Sequence, residues 1–184
     1  MEFCMISTID VNIYNFVLKI FSMQTTFIMT IISHLGSATM LIMLCVLFFV
    51  LFKDRRMPFI ISVNLLAVFL LNNLIKLIIA RPRPQVLNLV AENGYSFPSG
   101  HAMVATGFYG LLIYIIHKKM KNKIIKTLSI IMLAVLIFLI GLSRIYLGVH
   151  YATDIIGGFV IGTIYLISFI KIVKGMKVWK NCLQ

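Results

Sequence analysis

Long apolar runs separated by short polar segments dominate the sequence. Each run of about 20 residues is long enough to cross the hydrocarbon core of a bilayer as a helix. The runs predict five spans, over residues 27–52, 58–80, 99–116, 124–142 and 151–173. The predicted fold is therefore all-α, a polytopic membrane helical bundle of about five transmembrane helices, with a single domain over 1–184.

The first run carries a polar interruption at 33–37, which reads Ser-His-Leu-Gly-Ser. No loop sequence follows that could turn the chain back, so the pattern predicts one long, tilted span over 27–52. Small residues inside spans allow neighbouring helices to approach closely. We expect this at Gly36 and Ser37, and again at Gly158 and Gly162, where the packing lies either within one chain or between chains.

Residues 9–23 have a different pattern, typical of a helix lying in the membrane interface. One helical face collects the apolar residues Ile9, Ile13, Phe16, Val17 and Ile20, and the opposite face is largely polar. This segment is too polar to be a good span, so we predict an N-terminal interfacial amphipathic helix. Asp10 is a candidate for its N-cap.

Composition supports a membrane protein and narrows the choice of partner. Hydrophobic residues make up 61% of the chain, against roughly 45–50% in soluble domains. The net charge of +12 lies in short clusters between apolar runs and forms no basic face for a duplex, so no nucleic acid partner is expected. The three cysteines are scattered, which indicates neither a disulfide framework nor a metal motif. No basic residue precedes Lys19, so a cleaved signal peptide is not expected.

The positions of the basic residues predict how the chain is oriented. With five spans, 12 of the 17 Lys and Arg residues fall on one side, in the segments 53–56, 118–126 and 171–180. Basic loops favour the cytoplasm. We therefore predict a multi-pass plasma membrane protein whose C-terminus is cytoplasmic. The helix ends at 76–101 and 143–154 are predicted to be extracytoplasmic.

Charged residues within or beside these spans indicate a site on that outer side. Lys76, Arg144 and Asp154 lie in or at the edge of apolar runs, where a charge costs roughly 2.5–3.5 kcal/mol at a span centre unless it has a partner or a wet cavity. Arg83 and His101 map to the same side. Such a convergence of cations is typical of a phosphate site. Arg81 is expected only to snorkel to lipid headgroups.

The segment Tyr95-Ser96-Phe97-Pro98-Ser99-Gly100-His101 marks the start of a helix. Pro98 is suited to a first helical turn, and free N–H groups at Ser99 and Gly100 would form an anion site at the helix end. His101 adds a group that can exchange a proton near neutral pH.

His150 and Asp154 are four residues apart and therefore share a helical face. A carboxylate in this position fixes the imidazole tautomer and supports nucleophilic attack by the ring. A metal site is the rival explanation, but the sequence has no HExxH motif and nearby cations would repel a divalent ion, so no cofactor or metal is expected. Ser99 as a nucleophile would need a G-x-S-x-G elbow, which the sequence lacks; it is better explained as a phosphate donor.

These residues together resemble a known family. The strings Lys76-x6-Arg83-Pro84, Pro98-Ser99-Gly100-His101 and Ser143-Arg144-x5-His150-x3-Asp154 are similar to the three signature motifs of the type 2 phosphatidic acid phosphatase and vanadium haloperoxidase superfamily. All three are intact, in order and at the expected spacing. The flanking 145–149 resembles the bacterial integral-membrane branch.

The resemblance implies a catalytic group and a phosphate-binding group of residues. His150 would attack phosphorus, Asp154 would orient it, and His101 would protonate the leaving oxygen. The residues that would hold the phosphate oxygens are Lys76, Arg83, Ser99, Gly100 and Arg144. Because one histidine must be neutral and the other protonated, a bell-shaped pH–rate profile is expected.

The resemblance also implies a lipid phosphate substrate, and membrane lipids are the expected surroundings. Undecaprenyl diphosphate is the leading expectation, with phosphatidylglycerophosphate and phosphatidic acid as close alternatives and lipid A phosphates as a more distant one. A transporter of anionic lipid or phosphate is a rival of another class, but the sequence has no inverted repeat. The sequence does not determine the oligomeric state.

Overall fold

The computed structural model describes residues 8–84, 89–90 and 92–175, and all regular structure in these ranges is helical. The seven helices are α1 (Thr8–Lys19), α2 (Met23–His34), α3 (Ala38–Leu51), α4 (Arg56–Ile79), α5 (Gly100–Lys119), α6 (Lys123–Tyr146) and α7 (Ala152–Gly175). The predicted basic tail beyond Gly175 lies outside the described residues, and so do Cys4 and Cys182. The prediction of an all-α helical bundle is confirmed.

Helices α4, α5, α6 and α7 are each long and apolar enough to cross a membrane. At 1.5 Å per residue, the 24-residue helices α4, α6 and α7 are about 36 Å long, and the hydrocarbon core is about 30 Å thick. Many of their large apolar side chains point outward; Leu77, Ile124 and Ile172, for example, are about 70% exposed. An outward-facing apolar surface of this kind is stable in lipid, so these helices are those of a membrane protein.

The predicted single span over 27–52 is wrong in one respect, because it is broken. Helices α2 and α3 form a bent pair with an angle of 48° across Leu35–Ser37, and together they count as a possible fifth span. The Ser37 hydroxyl ends one helix and starts the next, since it donates to His34 O at 2.7 Å and accepts from Met40 N at 3.3 Å. A Cβ on Gly36 would lie 3.2 Å from Cδ2 of His101, so the break allows the chain to pass beside that ring.

Helix α1 has 12 residues and is therefore about 18 Å long, which is too short for a span. Its Val17 is buried against Tyr146, Leu147 and Val149, whereas Phe16 is 61% exposed. Asp10 is not the N-cap predicted from sequence. It lies inside the first turn of α1 and its carboxylate is buried, because it binds groups on other elements.

Helix α5 lies at the centre of the bundle, in contact with α4, α6 and α7. Its small residues make this possible. A Cβ on Gly107 would lie 3.1 Å from Val68 of α4, and one on Gly158 of α7 would lie 2.9 Å from the Cβ of Ala102. The close packing expected at Gly158 and Gly162 therefore occurs within the chain, between α7 and α5.

One end of the bundle gathers the segments that carry the predicted site. The C-terminus of α4, the N-terminus of α5 and the turn between α6 and α7 meet there, joined by Ser96 N to Arg81 O (2.7 Å) and Ser99 N to Asp154 O (3.1 Å). Ala80 ends α4 in a left-handed conformation. Pro98 does not lie in the first turn of α5, as its sequence position predicted, because Ser99 is the N-cap and the helix begins at Gly100.

Candidate active site

His150 and Asp154 form a buried pair at the start of α7. His150 lies in the turn before the helix and Asp154 in its first turn, so the i, i+4 spacing brings Nδ1 of the ring to 3.5 Å from Oδ2 of the carboxylate. Ser96 completes the pair: its hydroxyl lies 3.3 Å from the same ring nitrogen and donates to Asp154 Oδ2. With two acceptors around Nδ1, the proton of the neutral ring belongs there, and Nε2 keeps its lone pair.

Burial lowers the pKa of His150 to about 4, and the hydrogen bond to Asp154 opposes this shift only in part. The ring is therefore neutral at physiological pH. Its Nε2 lies 3.3 Å from Nη1 of Arg83. A neutral, oriented imidazole next to a guanidinium can act as a nucleophile toward an anionic group that the guanidinium binds.

Arg83 is held by backbone carbonyl groups in the turn after α4. Its guanidinium donates to Val149 O at 3.0 Å, Gly94 O at 3.0 Å and Asn93 O at 3.2 Å. Burial lowers the pKa of Arg83, with Glu92 opposing the effect, but an arginine retains its charge in a protein. The planar cation is thereby fixed in orientation beside the His150 ring.

Five of the eight site residues predicted from sequence line a single cavity of about 820 Å³. They are Lys76, Arg83, Gly100, His101 and His150. Lys76 Nζ donates to Tyr95 O at 2.7 Å, which holds the ammonium at this end of the cavity. Gly100 allows close approach here, since a Cβ would lie 3.1 Å from Oδ1 of Asn72. The cavity thus combines two cations, two imidazoles and a helix N-terminus.

The other three predicted residues lie around the cavity and do not line it. Asp154 lies behind His150. Ser99 is fully buried, and its hydroxyl accepts from Ala102 N at 3.5 Å as the cap of α5. The prediction of a free N–H at Ser99 is wrong, because that group donates to Asp154 O at 3.1 Å. Arg144 is also buried; it donates to Ser33 Oγ at 2.5 Å and binds the Glu92 carboxylate, and its Nε has no partner in the described part of the chain.

The expectation that Arg81 snorkels to lipid headgroups is wrong. Its side chain is only 7% exposed and forms ion pairs with two buried carboxylates, Asp154 Oδ1 at 2.6 Å and Asp10 Oδ2 at 3.1 Å. It also donates to Thr153 Oγ1 at 2.7 Å. The two arginines of the Arg-Pro-Arg-Pro segment thus contact the two ends of the His150–Asp154 pair, Arg83 at His150 and Arg81 at Asp154. The sequence analysis assigned only Arg83 to the site.

Three further residues of the site were missed from sequence: Asp10, Glu92 and Ser96. Glu92 lines the cavity, binds Arg144 and lies 3.7 Å from Nη2 of Arg83, so its carboxylate lies between two predicted phosphate-binding arginines. The composition contained a signal for Glu92. The chain has only five acidic residues against 17 basic ones, so each acidic residue needs a structural explanation. Ser96 gave no such signal.

Metal ligands are not clustered at this site. Within the described ranges, no group of three or more His, Cys, Asp or Glu side chains has the arrangement needed to hold a metal ion. The prediction that the protein works without a metal or cofactor stays a prediction.

A family model described as the PAP2 superfamily matches residues 57–176. Phosphatidylglycerophosphatase B of Bacillus subtilis is 39% identical over 142 residues, covering 73% of this chain and 68% of that protein. Undecaprenyl-diphosphatase of Sulfolobus acidocaldarius is 28% identical over 154 residues, covering 79% of this chain and 68% of that one.

Two solved structures have a similar fold. The transmembrane PAP2 type phosphatidylglycerolphosphate phosphatase from Bacillus subtilis matches with a TM-score of 0.82 at 32% identity, covering 91% of this chain and 86% of that one. LpxE of Aquifex aeolicus matches with a TM-score of 0.68 at 25% identity, covering 88% and 94%. By its family match, its helical fold and its motif residues around one cavity, the chain belongs to the PAP2 superfamily and is a membrane lipid phosphatase.

Proposed function

We propose that the chain hydrolyses its substrate in two steps through a phosphohistidine on His150. In the first step Nε2 of His150 forms a bond to phosphorus, the bond from phosphorus to the leaving oxygen breaks, and His101 protonates that oxygen. In the second step water attacks phosphorus and gives a proton to His101, the P–N bond breaks and inorganic phosphate leaves. The observation that carries the proposal is that both imidazoles line the same cavity as Lys76 and Arg83.

Asp154 is proposed to keep His150 in its reactive tautomer. The carboxylate accepts from the Nδ1 side of the ring and is itself fixed by the Tyr151 N–H at 2.8 Å. As Nε2 bonds to phosphorus the ring gains positive charge, and a fixed carboxylate stabilises that charge without having to reorganise.

The cations are proposed to bind the phosphate oxygens on which charge collects in the transition state. Arg83 and Lys76 face the cavity directly. A phosphate would bind Arg144 by displacing the Glu92 carboxylate, because this displacement frees one edge of the Arg144 guanidinium. Gly100 is proposed to contribute through the N-terminus of α5. Ser99 is proposed to act indirectly, because its hydroxyl caps that helix and its N–H binds Asp154 O.

The apolar part of the cavity supports a lipid substrate. From the charged end, the cavity runs between α3 and α4, lined by apolar side chains such as Ile42, Val46, Leu66 and Phe69. Each of these is more than 40% exposed on the outer surface of the bundle, so the groove opens toward the lipid. A headgroup could occupy the charged end while the acyl or isoprenoid chain stays among apolar groups.

For the substrate we propose phosphatidylglycerophosphate first and undecaprenyl diphosphate second. The order differs from the sequence-based expectation, because the relative named for the first activity is 39% identical and the one named for the second is 28% identical. Both substrates present a terminal phosphate on a long apolar anchor. The active site is proposed to face the extracytoplasmic side, with a cytoplasmic C-terminus, on the basis of the basic loops at 53–56 and 118–126.

The test is phosphate release from a panel of lipid phosphates in detergent micelles, with and without orthovanadate. We expect release that vanadate blocks, and with substrate carrying labelled phosphorus we expect a phosphoprotein that is labile to acid and stable to alkali. His150→Ala should abolish both, whereas the control His117→Ala, at the exposed end of α5, should have no effect. Normal turnover by His150→Ala would exclude the phosphohistidine. Flux of labelled lipid across vesicles without hydrolysis would instead indicate a transporter.

A further inference from the structure

The buried arginine behind the active site links it to the N-terminal helix. Arg81 Nη1 lies 2.6 Å from Asp154 Oδ1, and Arg81 Nη2 lies 3.1 Å from Asp10 Oδ2. Asp10 belongs to α1 and is fully buried. It also accepts from the Thr153 backbone N–H at 2.9 Å, which ties α1 to the first turn of α7. The N-terminal helix is thus bound to the residue that supports the nucleophile.

Arg81 helps to position both oxygens of the Asp154 carboxylate. It binds Oδ1 directly, while its backbone carbonyl accepts from Ser96 N at 2.7 Å and so holds the residue whose hydroxyl donates to Oδ2. The guanidinium is fixed in turn, since it lies 4.3 Å from the centre of the Tyr151 ring. Neither Arg81 nor Asp10 lines the cavity, so neither can touch a bound phosphate.

We propose that Asp10 and Arg81 are positioning residues, which act on the reaction by fixing the orientation and the effective charge of Asp154 behind His150. Arg81 shares its positive charge between two carboxylates. Asp10 therefore limits how strongly Arg81 neutralises Asp154, and this leaves Asp154 able to support positive charge on the ring. Helix α1 lies outside the region matched by the family model, and in this proposal it contributes to catalysis through Asp10.

The proposal rests on His150 being the nucleophile and predicts opposite effects for the two charges. Asp10→Asn removes a negative charge, so Arg81 should bind Asp154 more strongly, and the acid limb of the kcat/KM profile should move to lower pH. Arg81→Met removes the shared cation and should move that limb to higher pH. We expect each shift to be about half a pH unit or more, given an effective dielectric constant near 20.

The double variant provides a sharper prediction. With Asp10→Asn and Arg81→Met combined, the net charge behind Asp154 equals that of the wild type, so the acid limb should return close to its original position. The kcat should remain low, because Asp154 Oδ1 has lost the ion pair that helps to fix the carboxylate. For each single variant we expect kcat to fall about 10- to 100-fold, by analogy with the groups that orient metal-bound histidines, with KM within twofold of wild type.

The charged groups that face His150 stay unchanged in all these variants. Together with the titratable groups there, they are Asp154 from α7, Arg83 from the turn after α4, Glu92 from the loop before α5, Lys76 from α4, His101 from α5 and Arg144 from α6. Asp54→Asn is a matched control, since this acid pairs with Arg56 on the surface at the opposite end of α4 and should alter neither kcat nor the limb. Thermal melting in detergent would check that each variant folds.

Opposite shifts that cancel in the double variant would support the proposal. Shifts in one direction, no shift, or a rise in KM that accounts for the whole loss would overturn it. If Arg81→Met does not fold, Asp10→Asn alone tests the proposal, because the acid limb of its kcat/KM profile must move to lower pH. Failure of this proposal is distinct from failure of the phosphohistidine mechanism, since His150→Ala would then still abolish turnover.

Discussion

The packing of α7 on α5 sets the geometry of the site, and Gly158 is the place to test it. A Cβ on Gly158 would lie 2.9 Å from the Ala102 Cβ, 3.0 Å from Ser99 O and 3.2 Å from Met103 N. Carbon atoms pack at about 3.5–4.0 Å, so Gly158→Ala requires the helices to separate by roughly 0.6–1 Å. Two of the three neighbours are backbone atoms, which cannot move aside alone.

That separation should affect both stability and rate. Overpacking of this kind costs about 1–3 kcal/mol, which corresponds to a fall in Tm of roughly 2–12 °C for a chain of this size. The shift would also stretch the contact from Ser99 N to Asp154 O, now 3.1 Å, and move His101 on α5 relative to His150. A displacement near 1 Å can cost about 100-fold in rate, so we expect kcat/KM to fall about 10- to 100-fold.

The assay is lipid phosphate hydrolysis in detergent alongside thermal melting of the same preparation. Gly175→Ala is the matched control, because it lies in the same helix and a Cβ there would meet nothing within 4 Å. It should keep wild-type activity and Tm. Wild-type kcat/KM for Gly158→Ala would refute the reasoning. A lower Tm with unchanged activity would show that the α5–α7 contact stabilises the fold without setting the geometry of the two histidines.

Three other predictions concern the charges of the site. Arg144→Lys should lose about 100-fold in kcat/KM, because an ammonium group cannot reproduce the fork that binds Ser33 and Glu92; near-normal turnover would contradict this. Glu92→Gln should lower the inhibition constant of orthovanadate about tenfold, since it removes the anion beside two arginines; an equal or higher constant would count against displacement of Glu92 by substrate. Burial lowers the pKa of His150 to about 4, so the neutral ring persists above that pH and is lost as pH falls through it. The acid limb of kcat/KM, corrected for ionisation of the substrate phosphate, should thus lie near pH 4, and a midpoint at 6.5 or above would be inconsistent with a buried nucleophile.

The long helices could be predicted from sequence because their cause is local. An apolar run must be long enough to cross lipid, and the backbone groups at its ends must find hydrogen-bond partners. The predicted spans 58–80 and 151–173 therefore differ from the helices Arg56–Ile79 and Ala152–Gly175 by at most two residues at either end. The prediction 124–142 ended four residues short of Tyr146. Its last turn carries Arg144, whose burial in a helix depends on Ser33 and Glu92, residues far away in the chain.

The break between α2 and α3 could not be predicted with the same rule. Hydropathy is high on both sides of Leu35–Ser37, so an apolar pattern alone does not distinguish a tilted helix from a bent one. The bend depends on the capping hydroxyl of Ser37 and on the lack of space at Gly36, where a Cβ would lie 2.5 Å from Ile140 Cγ2. Only the packing of α6 against this point reveals that constraint.

By itself, the sequence determined that this protein is a helical membrane bundle whose three motifs follow helix ends on one side, because span length and motif spacing are properties of neighbouring residues. The tertiary structure alone decided which carboxylates the buried arginines bind. Arg81 binds Asp10 across 71 positions and Asp154 across 73, and Glu92 reaches Arg144 across 52. An ion pair of this kind depends on distance in space and leaves no periodic trace along the chain, so the partners of these arginines became visible only once the helices were packed.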